Sequence, residues 1–268
     1  ATPLEPDAVP EDLLASGLGT FHPARAVNFD RLTLGNKFSL AGVQMKFSMN
    51  ATDGRYNLPA GGDLGDWIIK TPSTTHKLVP LNEFTAMSLA QMAGVDIPEI
   101  RLVDVNNLDD LPPLNLPDER HAFAIKRFDR DRERRIHMED FAQIFVKYPH
   151  DKYTAANYER IGRVLYEFSG DALADVQQLA RRLLVNILLA NGDAHLKNWS
   201  LWYPDGFTPR LSPAYDIVTT RVYFDNETQY ALNLGKTKEW YAVTMEHFKY
   251  WSEKAGLPWR AIKPHLAD

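Results

Sequence analysis

Residues 191–198 read Asn-Gly-Asp-Ala-His-Leu-Lys-Asn, and Asp216 follows eighteen residues after Asn198. An aspartate, an asparagine five residues later and a second aspartate beyond a short hairpin are the side chains of a kinase phosphoryl-transfer centre. That reaction requires a carboxylate to orient the attacking hydroxyl and two oxygen ligands to hold Mg²⁺ against the triphosphate of ATP. Asp193, Asn198 and Asp216 supply this chemistry, so the segment predicts phosphoryl transfer.

The segment before this motif has the pattern of a long amphipathic helix. Residues 172–190 carry apolar side chains at the spacing of one helical face. That predicted face consists of Leu173, Val176, Leu179, Leu183 and Ile187. Asn191 and Gly192 favour termination of the helix, which places Asp193 just past its end.

The segment after the motif has the pattern of a β-hairpin. Residues 199–203 alternate as a strand, residues 204–206 form a turn, and residues 207–211 return as the partner strand. The hairpin would carry Asp216 back towards Asn198. Aspartate and asparagine are also common as helix caps and at loop starts. Capping explains any one of these residues well, but it explains the ordered set poorly.

Composition sets outer limits on the class of protein. With 268 residues, 44% of them hydrophobic and 24% charged, the chain has ordinary globular composition and length for one large domain or two lobes. The absence of cysteine excludes disulfides and cysteine-based zinc sites. A net charge of −5 gives no sign of a nucleic-acid surface, and no apolar run has the length of a membrane span. We therefore expect a cytoplasmic protein without direct nucleic-acid or membrane binding.

A lysine and a glutamate form a second kinase-like pattern. Residues 67–70 read as a buried strand that ends in Lys70, and residues 81–93 read as a helix with Asn82 as its N-cap. Glu83 would lie in the first turn of that helix. Kinases pair a strand lysine with a helix glutamate to fix the cation that contacts the nucleotide phosphates. The alternatives are a surface lysine that closes a strand and a carboxylate favoured by the helix dipole.

A hinge between two lobes is predicted after the next buried strand, residues 122–125. The segment that leaves this strand consists of Lys126, Arg127, Phe128 and Asp129. Adenine recognition needs an apolar slot and backbone hydrogen bonds rather than particular side chains, so this assignment depends on the order of the elements.

The overall pattern is β-rich in the first half and helical in the second. Residues 136–145 and 154–169 precede the 172–190 helix and are also expected to be helical. The predicted fold is α+β, namely a two-lobed protein-kinase-like fold with a β-rich N-lobe and a mainly helical C-lobe. The predicted boundaries are an irregular lead-in over 1–37, an N-lobe over 38–130 and a C-lobe over 131–268.

The order of several segments resembles one family of bacterial kinases. These segments are "SLAGVQMKFSM", "WIIKTPS", "NEFTAMSLAQMAGVDIPEIRL", "AFAIKRFDRD", "HMEDFAQ", "NGDAHLKNWSLWY" and "LSPAYDIV", and the resemblance extends over about residues 38–256. Together they resemble the HipA family of serine/threonine kinases. That resemblance implies ATP and Mg²⁺ as cofactors, with Asp193 as the catalytic base and Asn198 and Asp216 as the metal ligands.

The resemblance also implies roles for other residues. It places Lys70 on the phosphates, Lys126 to Phe128 in the hinge, and Ser39 in the loop that replaces the usual Gly-rich loop, where autophosphorylation regulates these kinases. Nucleotide contacts are expected from Ser39, Ala41, Gly42, Val43, Gln44, Lys70, Glu83, Lys126, Arg127, Phe128, Asp129 and Lys197. His195 is expected to order the catalytic loop by hydrogen bonding. Without the resemblance, Ser39 would read as a polar residue on the outer face of a strand.

The family also implies partners. Its members are toxins of toxin–antitoxin modules, whose known targets are aminoacyl-tRNA synthetases and whose antitoxins are HipB-like or HipS-like proteins. Full-length HipA proteins carry an additional N-terminal subdomain, whereas 37 residues precede the match here. The chain therefore resembles a short, HipT-type toxin or a shortened piece of a longer protein. HipT-type loops carry two serines flanking one residue, but residues 38–40 contain only Ser39.

Other classes fit less well. A pseudokinase that acts as a binding module is opposed by the intact set Lys70, Asp193, Asn198 and Asp216. A small-molecule phosphotransferase of the aminoglycoside kinase kind usually carries H-x-D, whereas the order here is D-x-H. A metalloenzyme could use His195 with two aspartates, but histidine pairs at ligand spacing are absent, and a G-x-S-x-G hydrolase elbow is absent too.

Overall fold

The structure of the chain is a computed structural model. It describes residues 44–59, 64–112, 114–131, 134–147 and 156–267. Every described residue belongs to one compact unit of the chain. The predicted lead-in over 1–37 and the predicted loop residues Ser39, Ala41, Gly42 and Val43 lie outside the described residues.

An antiparallel sheet forms the first half of the described chain. Its five strands are β1 (Lys46–Thr52), β2 (Arg55–Asn57), β3 (Trp67–Lys70), β4 (Ile100–Asp104) and β5 (His121–Lys126). Their order in the sheet is β2-β1-β3-β5-β4. Asp53 and Gly54 join β1 to β2 with φ values of 51° and 79°, the left-handed geometry that a two-residue hairpin turn requires. In the centre, β3 pairs with both β1 and β5, which fixes the position of Lys70.

One helix, α1 (Val79–Met92), packs on this sheet. Ala86, Met87 and Ala90 are buried in one apolar cluster with side chains of the sheet. The predicted N-cap is wrong, because α1 begins before Asn82, with Leu78 as its N-cap and a proline in its first turn. Glu83 consequently lies in the second turn rather than the first.

The second half is mainly helical. Its helices are α2 (Phe141–Ile144), α3 (Tyr158–Phe168), α4 (Ala172–Leu188), α5 (Met245–Ala255) and α6 (Trp259–Ile262). Its short strands are β6 (Arg130–Asp131), β7 (Arg134–Arg135), β8 (Met138–Asp140), β9 (Ser200–Trp202), β10 (Arg210–Leu211), β11 (Gln229–Leu234) and β12 (Thr237–Glu239). Within the described ranges, no helix has the length and apolar character needed to cross a membrane.

The antiparallel pairing of the predicted hairpin is confirmed, but its connection covers 203–209 rather than 204–206, and its second strand is limited to 210–211. The helix predicted over 136–145 is mostly wrong. Strand β9 pairs with β10 in antiparallel fashion, as predicted. Strand β9 also pairs on its other side with β8, so residues 138–140 are a strand and the helix is limited to 141–144. Backbone pairing with a strand about sixty residues away overrides the local helical pattern.

Helix α4 packs in the hydrophobic core of the C-lobe. Val176, Leu179 and Leu183 are fully buried, as the periodicity predicts, whereas Leu173 at its first turn is 43% exposed. The helix ends at Leu188, two residues earlier than predicted. Ala190 follows with a φ of 48°, which turns the chain out of the helix before the catalytic motif begins. The architecture is therefore α+β, with a β-rich lobe followed by a mainly helical one.

Candidate active site

A buried ion-pair cluster joins the two halves of the chain. The Lys70 ammonium at the end of β3 is 2.5 Å from the Glu83 carboxylate of α1 and also contacts the carboxylate of Asp216. The side chains of Lys70 and Glu83 are 5% and 2% exposed, and that of Asp216 is 30% exposed. Lys46, directly opposite Lys70 in the β1–β3 register, lies 3.6 Å from the other oxygen of Asp216. Of the three side chains Lys70, Glu83 and Asp216, that of Asp216 is thus the most exposed to solvent.

The cluster keeps its key groups charged. Burial alone would lower the pKa of Lys70, but Asp216 and Glu83 outweigh burial and raise it. Burial likewise disfavours the ionised form of Asp216, but Lys46 and Lys70 reverse this effect and lower the pKa of the carboxyl group. Burial raises the pKa of Glu83, and the nearby Asp216 charge adds to that rise against the opposing effect of Lys70. At neutral pH, Lys70 is therefore a cation and Asp216 an anion, as phosphate and metal binding require.

The loop that carries Asp193 is held by side-chain hydrogen bonds to its backbone. The Asn191 amide donates to Oδ1 of Asn186 on α4 at 2.7 Å, and its own Oδ1 accepts from the backbone N–H of Asp193 at 3.1 Å. The N–H of Gly192 donates to Oγ1 of Thr220 at 2.8 Å. Helix α4 on one side and the segment after Asp216 on the other thus fix the backbone at Asp193.

Asn198 is oriented by the same loop. Its Nδ2 donates to the Asp193 carbonyl at 2.7 Å, and its backbone N–H donates to the His195 carbonyl at 2.9 Å. In the described part of the chain, Oδ1 of Asn198 accepts no hydrogen bond. Because Nδ2 makes the contact with the Asp193 carbonyl, Oδ1 remains available as a ligand. His195 lies beside the predicted catalytic carboxylate, with Nε2 3.7 Å from Oδ1 of Asp193.

The donor set fits Mg²⁺ bound together with a nucleotide. No group of three or more His, Asp or Glu side chains that could hold a metal occurs among the residues the structure describes. Mg²⁺ is usually held by one or two protein oxygen ligands and completes its octahedron with phosphate oxygens and water. The Asp216 carboxylate and Asn198 Oδ1 are ligands of this kind. Both are hard oxygen donors, and Asp216 is ionised.

The predicted hinge contributes an aromatic ring rather than charges. Phe128 stacks on Tyr215, the residue before Asp216, with ring centroids 5.9 Å apart and an interplanar angle of 28°. The Lys126 side chain points towards Glu99, 3.8 Å away, and Arg127 forms a two-pronged pair with Asp129 at 2.8 and 2.6 Å. Both cations are thus paired with carboxylates, and Phe128 is the side chain of the predicted hinge that contacts the residue before Asp216.

Two other predicted residues have distinct positions. Gln44 donates from Nε2 to the carbonyl of Thr71 at 2.8 Å, which ties the start of the described chain to the residue after Lys70. Lys197 is exposed, and its carbonyl accepts a hydrogen bond from the Tyr215 hydroxyl at 3.1 Å. The structure thus places Gln44 close to the ion-pair cluster and the Lys197 side chain in solvent.

The sequence patterns did not identify two cationic side chains near the site, Lys46 and Arg182. Lys46 lies within a strand-like segment, and the alternation around it is the sequence signal that could have placed it on the same sheet face as the site. Arg182 lies on the buried side of α4, where the apolar periodicity hides it.

Arg182 also lines a cavity of about 360 Å³ with Asp96, Asp175 and Arg210. None of the residues of the ion-pair cluster or of the Asp193 loop lines that cavity.

Comparison with known proteins shows the family. Residues 38–268 match the family model of the HipA-like C-terminal domain. The chain therefore belongs to the HipA-like C-terminal domain family, as the sequence motifs predict. The family match begins at the predicted phosphate-binding loop and covers both lobes.

Individual relatives agree with this assignment. The chain is 47% identical over 225 residues to "Putative kinase Y4dM" of Sinorhizobium fredii, covering 82% of this chain and 54% of that protein. It is 25% identical over 242 residues to the serine/threonine-protein kinase toxin HipA of Shewanella oneidensis, covering 83% and 52% of the two chains. The chain thus spans about half the length of the curated relatives it matches.

A solved structure shares the fold. The HipA chain in a complex of Shewanella oneidensis HipA, HipB and operator DNA superposes with a TM-score of 0.71 at 21% identity. The match covers 89% of this chain and 57% of that chain. The kinase-like α+β fold predicted from the sequence is confirmed.

The buried pair of Lys70 and Glu83 leads to a prediction about stability. Replacing Lys70 by Met leaves the Glu83 carboxylate buried without its cation, and removal of one partner from a buried pair costs about 3–5 kcal/mol. Replacing both residues by Met removes the charges of the Lys70–Glu83 pair and leaves Asp216, which is 30% exposed and keeps Lys46 at 3.6 Å, so the double variant should recover part of that loss. Urea unfolding measures both effects, with Lys126→Met, a lysine with a 51% exposed side chain, as the control. A double variant no more stable than Lys70→Met would contradict the assigned pairing.

Proposed function

We propose that this chain is the catalytic domain of a bacterial serine/threonine kinase toxin that transfers the γ-phosphate of ATP to a serine of a protein. The observation that carries the proposal is the ion-pair cluster of Lys70, Glu83 and Asp216, which is formed by three separate elements. A lysine paired with a helix glutamate, next to an aspartate that follows the catalytic loop, is the arrangement that kinases use for Mg²⁺-ATP. The family to which the chain belongs supports the same conclusion.

Each residue of the site has a role in this proposal. Lys70 and Lys46 would attract the phosphates, and Asn198 and Asp216 would hold Mg²⁺, which would supply charge neutralisation for phosphoryl transfer. Asp193 orients the substrate hydroxyl and accepts its proton as the new phosphoester bond forms and the bond from the γ-phosphorus to ADP, the leaving group, breaks. Phe128 and Tyr215 offer an apolar surface to the adenine ring, whose recognition requires little side-chain specificity.

The substrate and partner follow from the resemblance to the family. We expect the phosphorylated protein to be an aminoacyl-tRNA synthetase and the neutralising partner to be a HipB-like or HipS-like antitoxin, in the cytoplasm. The relative with a solved structure is described in complex with HipB and operator DNA, which supports an antitoxin partner. We also propose that the chain phosphorylates itself in the loop around Ser39.

The first functional prediction concerns Asp193. The variant Asp193→Asn cannot accept the hydroxyl proton, and phosphoryl transfer should fall by about 10²-fold or more. The assay uses γ-labelled ATP, Mg²⁺ and a bacterial lysate, with the labelled protein identified by mass spectrometry. The matched control is Asp225→Asn, because Asp225 is fully exposed and its change should leave the rate unaltered. Near wild-type labelling by Asp193→Asn would remove Asp193 from the mechanism, and a labelled tRNA synthetase would establish the substrate class.

A second prediction concerns Ser39. The bond between Gln44 and Thr71 brings the residues just after the predicted loop beside the phosphate-binding lysine, which supports a loop that lies over the nucleotide. A phosphate of about −2 charge on Ser39 would compete with ATP for the same cations, so phosphorylated protein should bind ATP poorly. After incubation with Mg²⁺-ATP, mass spectrometry should find phosphate on Ser39 of the wild type but not of Asp193→Asn. Equal phosphate on both proteins, each made without another kinase, would rule out autophosphorylation at this serine.

A further inference from the structure

An arginine lies inside the C-lobe, directly behind the two predicted metal ligands. Arg182 of α4 is 2% exposed, and its Nη2 donates to the carbonyl of Asn198 at 2.6 Å. Nη1 makes a longer hydrogen bond of 3.4 Å to the carbonyl of Ser212. The guanidinium lies over two aromatic rings, 4.5 Å from the centre of Trp199 and 5.6 Å from that of Tyr215. It therefore contacts the neighbours of both Asn198 and Asp216.

This cation is held by carbonyl groups and aromatic rings rather than by a carboxylate. None of the ion pairs between described residues includes Arg182. Burial lowers the pKa of Arg182 to about 10, against the opposing effects of Tyr215, Asp216 and Asp96, so the side chain stays charged at neutral pH. A buried charge without a salt-bridge partner is costly, and this makes a purely stabilising role a poor explanation for it.

The backbone of the same residue supports the catalytic loop. The Arg182 carbonyl accepts a hydrogen bond from Asn186 Nδ2 at 2.8 Å. Asn186 in turn accepts from Asn191, whose side chain fixes the N–H of Asp193. One turn of α4 thus connects Asp193, Asn198 and the segment before Asp216 through short hydrogen bonds and ring contacts.

We propose that Arg182 is a positioning residue that sets the relative placement of Asn198 and Asp216 and thereby the metal affinity of the nucleotide complex. This inference rests on the proposed function, since it assigns a purpose to the metal ligands of that site. The planar guanidinium group donates a hydrogen bond to the Asn198 carbonyl and also lies over the ring of Tyr215. A side chain without this planar group would leave both metal ligands free to shift.

The test measures metal binding rather than turnover. Mn²⁺ is titrated, with detection by electron paramagnetic resonance, into the full chain saturated with a non-hydrolysable ATP analogue. Outer residues that orient metal ligands typically contribute about 10–100-fold to metal affinity, and we expect Arg182→Met to weaken Mn²⁺ binding by that factor. Affinity for the analogue without metal should be unchanged, because the phosphate-binding lysines are intact.

The neighbouring arginine offers a matched control. Arg181 is on the same helix, but its guanidinium bonds to the Ala93 carbonyl and to His265, away from the site. Arg181→Met should therefore retain wild-type Mn²⁺ affinity. Arg182→Lys keeps the charge but loses the planar group, so its Mn²⁺ affinity should lie between wild type and Arg182→Met. The lysine variant also provides the test if the methionine variant does not fold.

The outcomes separate the two proposals. Wild-type Mn²⁺ affinity in a folded Arg182 variant would overturn the positioning role, and so would an equal loss of analogue affinity with and without metal. If the wild-type chain itself bound neither the analogue nor its Mn²⁺ complex, the proposed function would fail, and the role of Arg182 with it. Loss of Mn²⁺ affinity in Arg182→Met but not in Arg181→Met is the result that the structure predicts.

Discussion

The rest of the site depends on one buried cation shared between two carboxylates. Lys70 comes from the central strand of the sheet, Glu83 from the helix packed on it, and Asp216 from the segment that follows the β9–β10 hairpin. A charge removed from water is tolerated only where partners surround it. Because the three groups come from three elements, the chain must fold both lobes correctly before Lys70 is satisfied. The same constraint brings a cation and the proposed metal-binding carboxylate to one place.

The backbone around the catalytic loop departs from regular geometry at two points. Asp216 has a φ of 55° and Ala190 a φ of 48°, both in the left-handed region that non-glycine residues rarely adopt. Thr220 stabilises the backbone at Ala190, because its hydroxyl donates a hydrogen bond to the Ala190 carbonyl at 3.1 Å. Such backbone conformations persist where the surrounding contacts determine them, and they concentrate at functional sites. Here they lie on either side of the segment that presents Asp193 and Asn198.

Features set by local sequence were predictable, whereas features set by distant partners were not. The α4 helix and the β9–β10 hairpin follow from periodicity and turn residues close to them in the chain. The spacing of Asp193, Asn198 and Asp216 singled out the catalytic segment for the same reason. By contrast, β8 depends on pairing with β9, and a polar pattern alone does not reveal that partner.

Long-range contacts also explain the missed residues. Asn82 appeared to be a helix cap, but its amide exchanges two hydrogen bonds with Thr219, 137 positions away, and this links α1 to the segment after Asp216. Lys46 and Arg182 act on groups that are likewise remote in the chain. A charged residue within an apolar pattern marks such a position, but only the fold identifies its partner.

The most direct measurement of the central claim is calorimetric titration of ATP with and without Mg²⁺ into the wild-type chain and Asp216→Ala. If Asp216 is the metal-binding carboxylate of a nucleotide site, Mg²⁺ strengthens ATP binding by the wild type and loses this effect in the variant. Lys70 keeps its partner Glu83 in Asp216→Ala, so the variant should remain folded and retain metal-free ATP binding. Equal affinity of the two proteins for Mg²⁺-ATP would place the metal elsewhere and contradict the account.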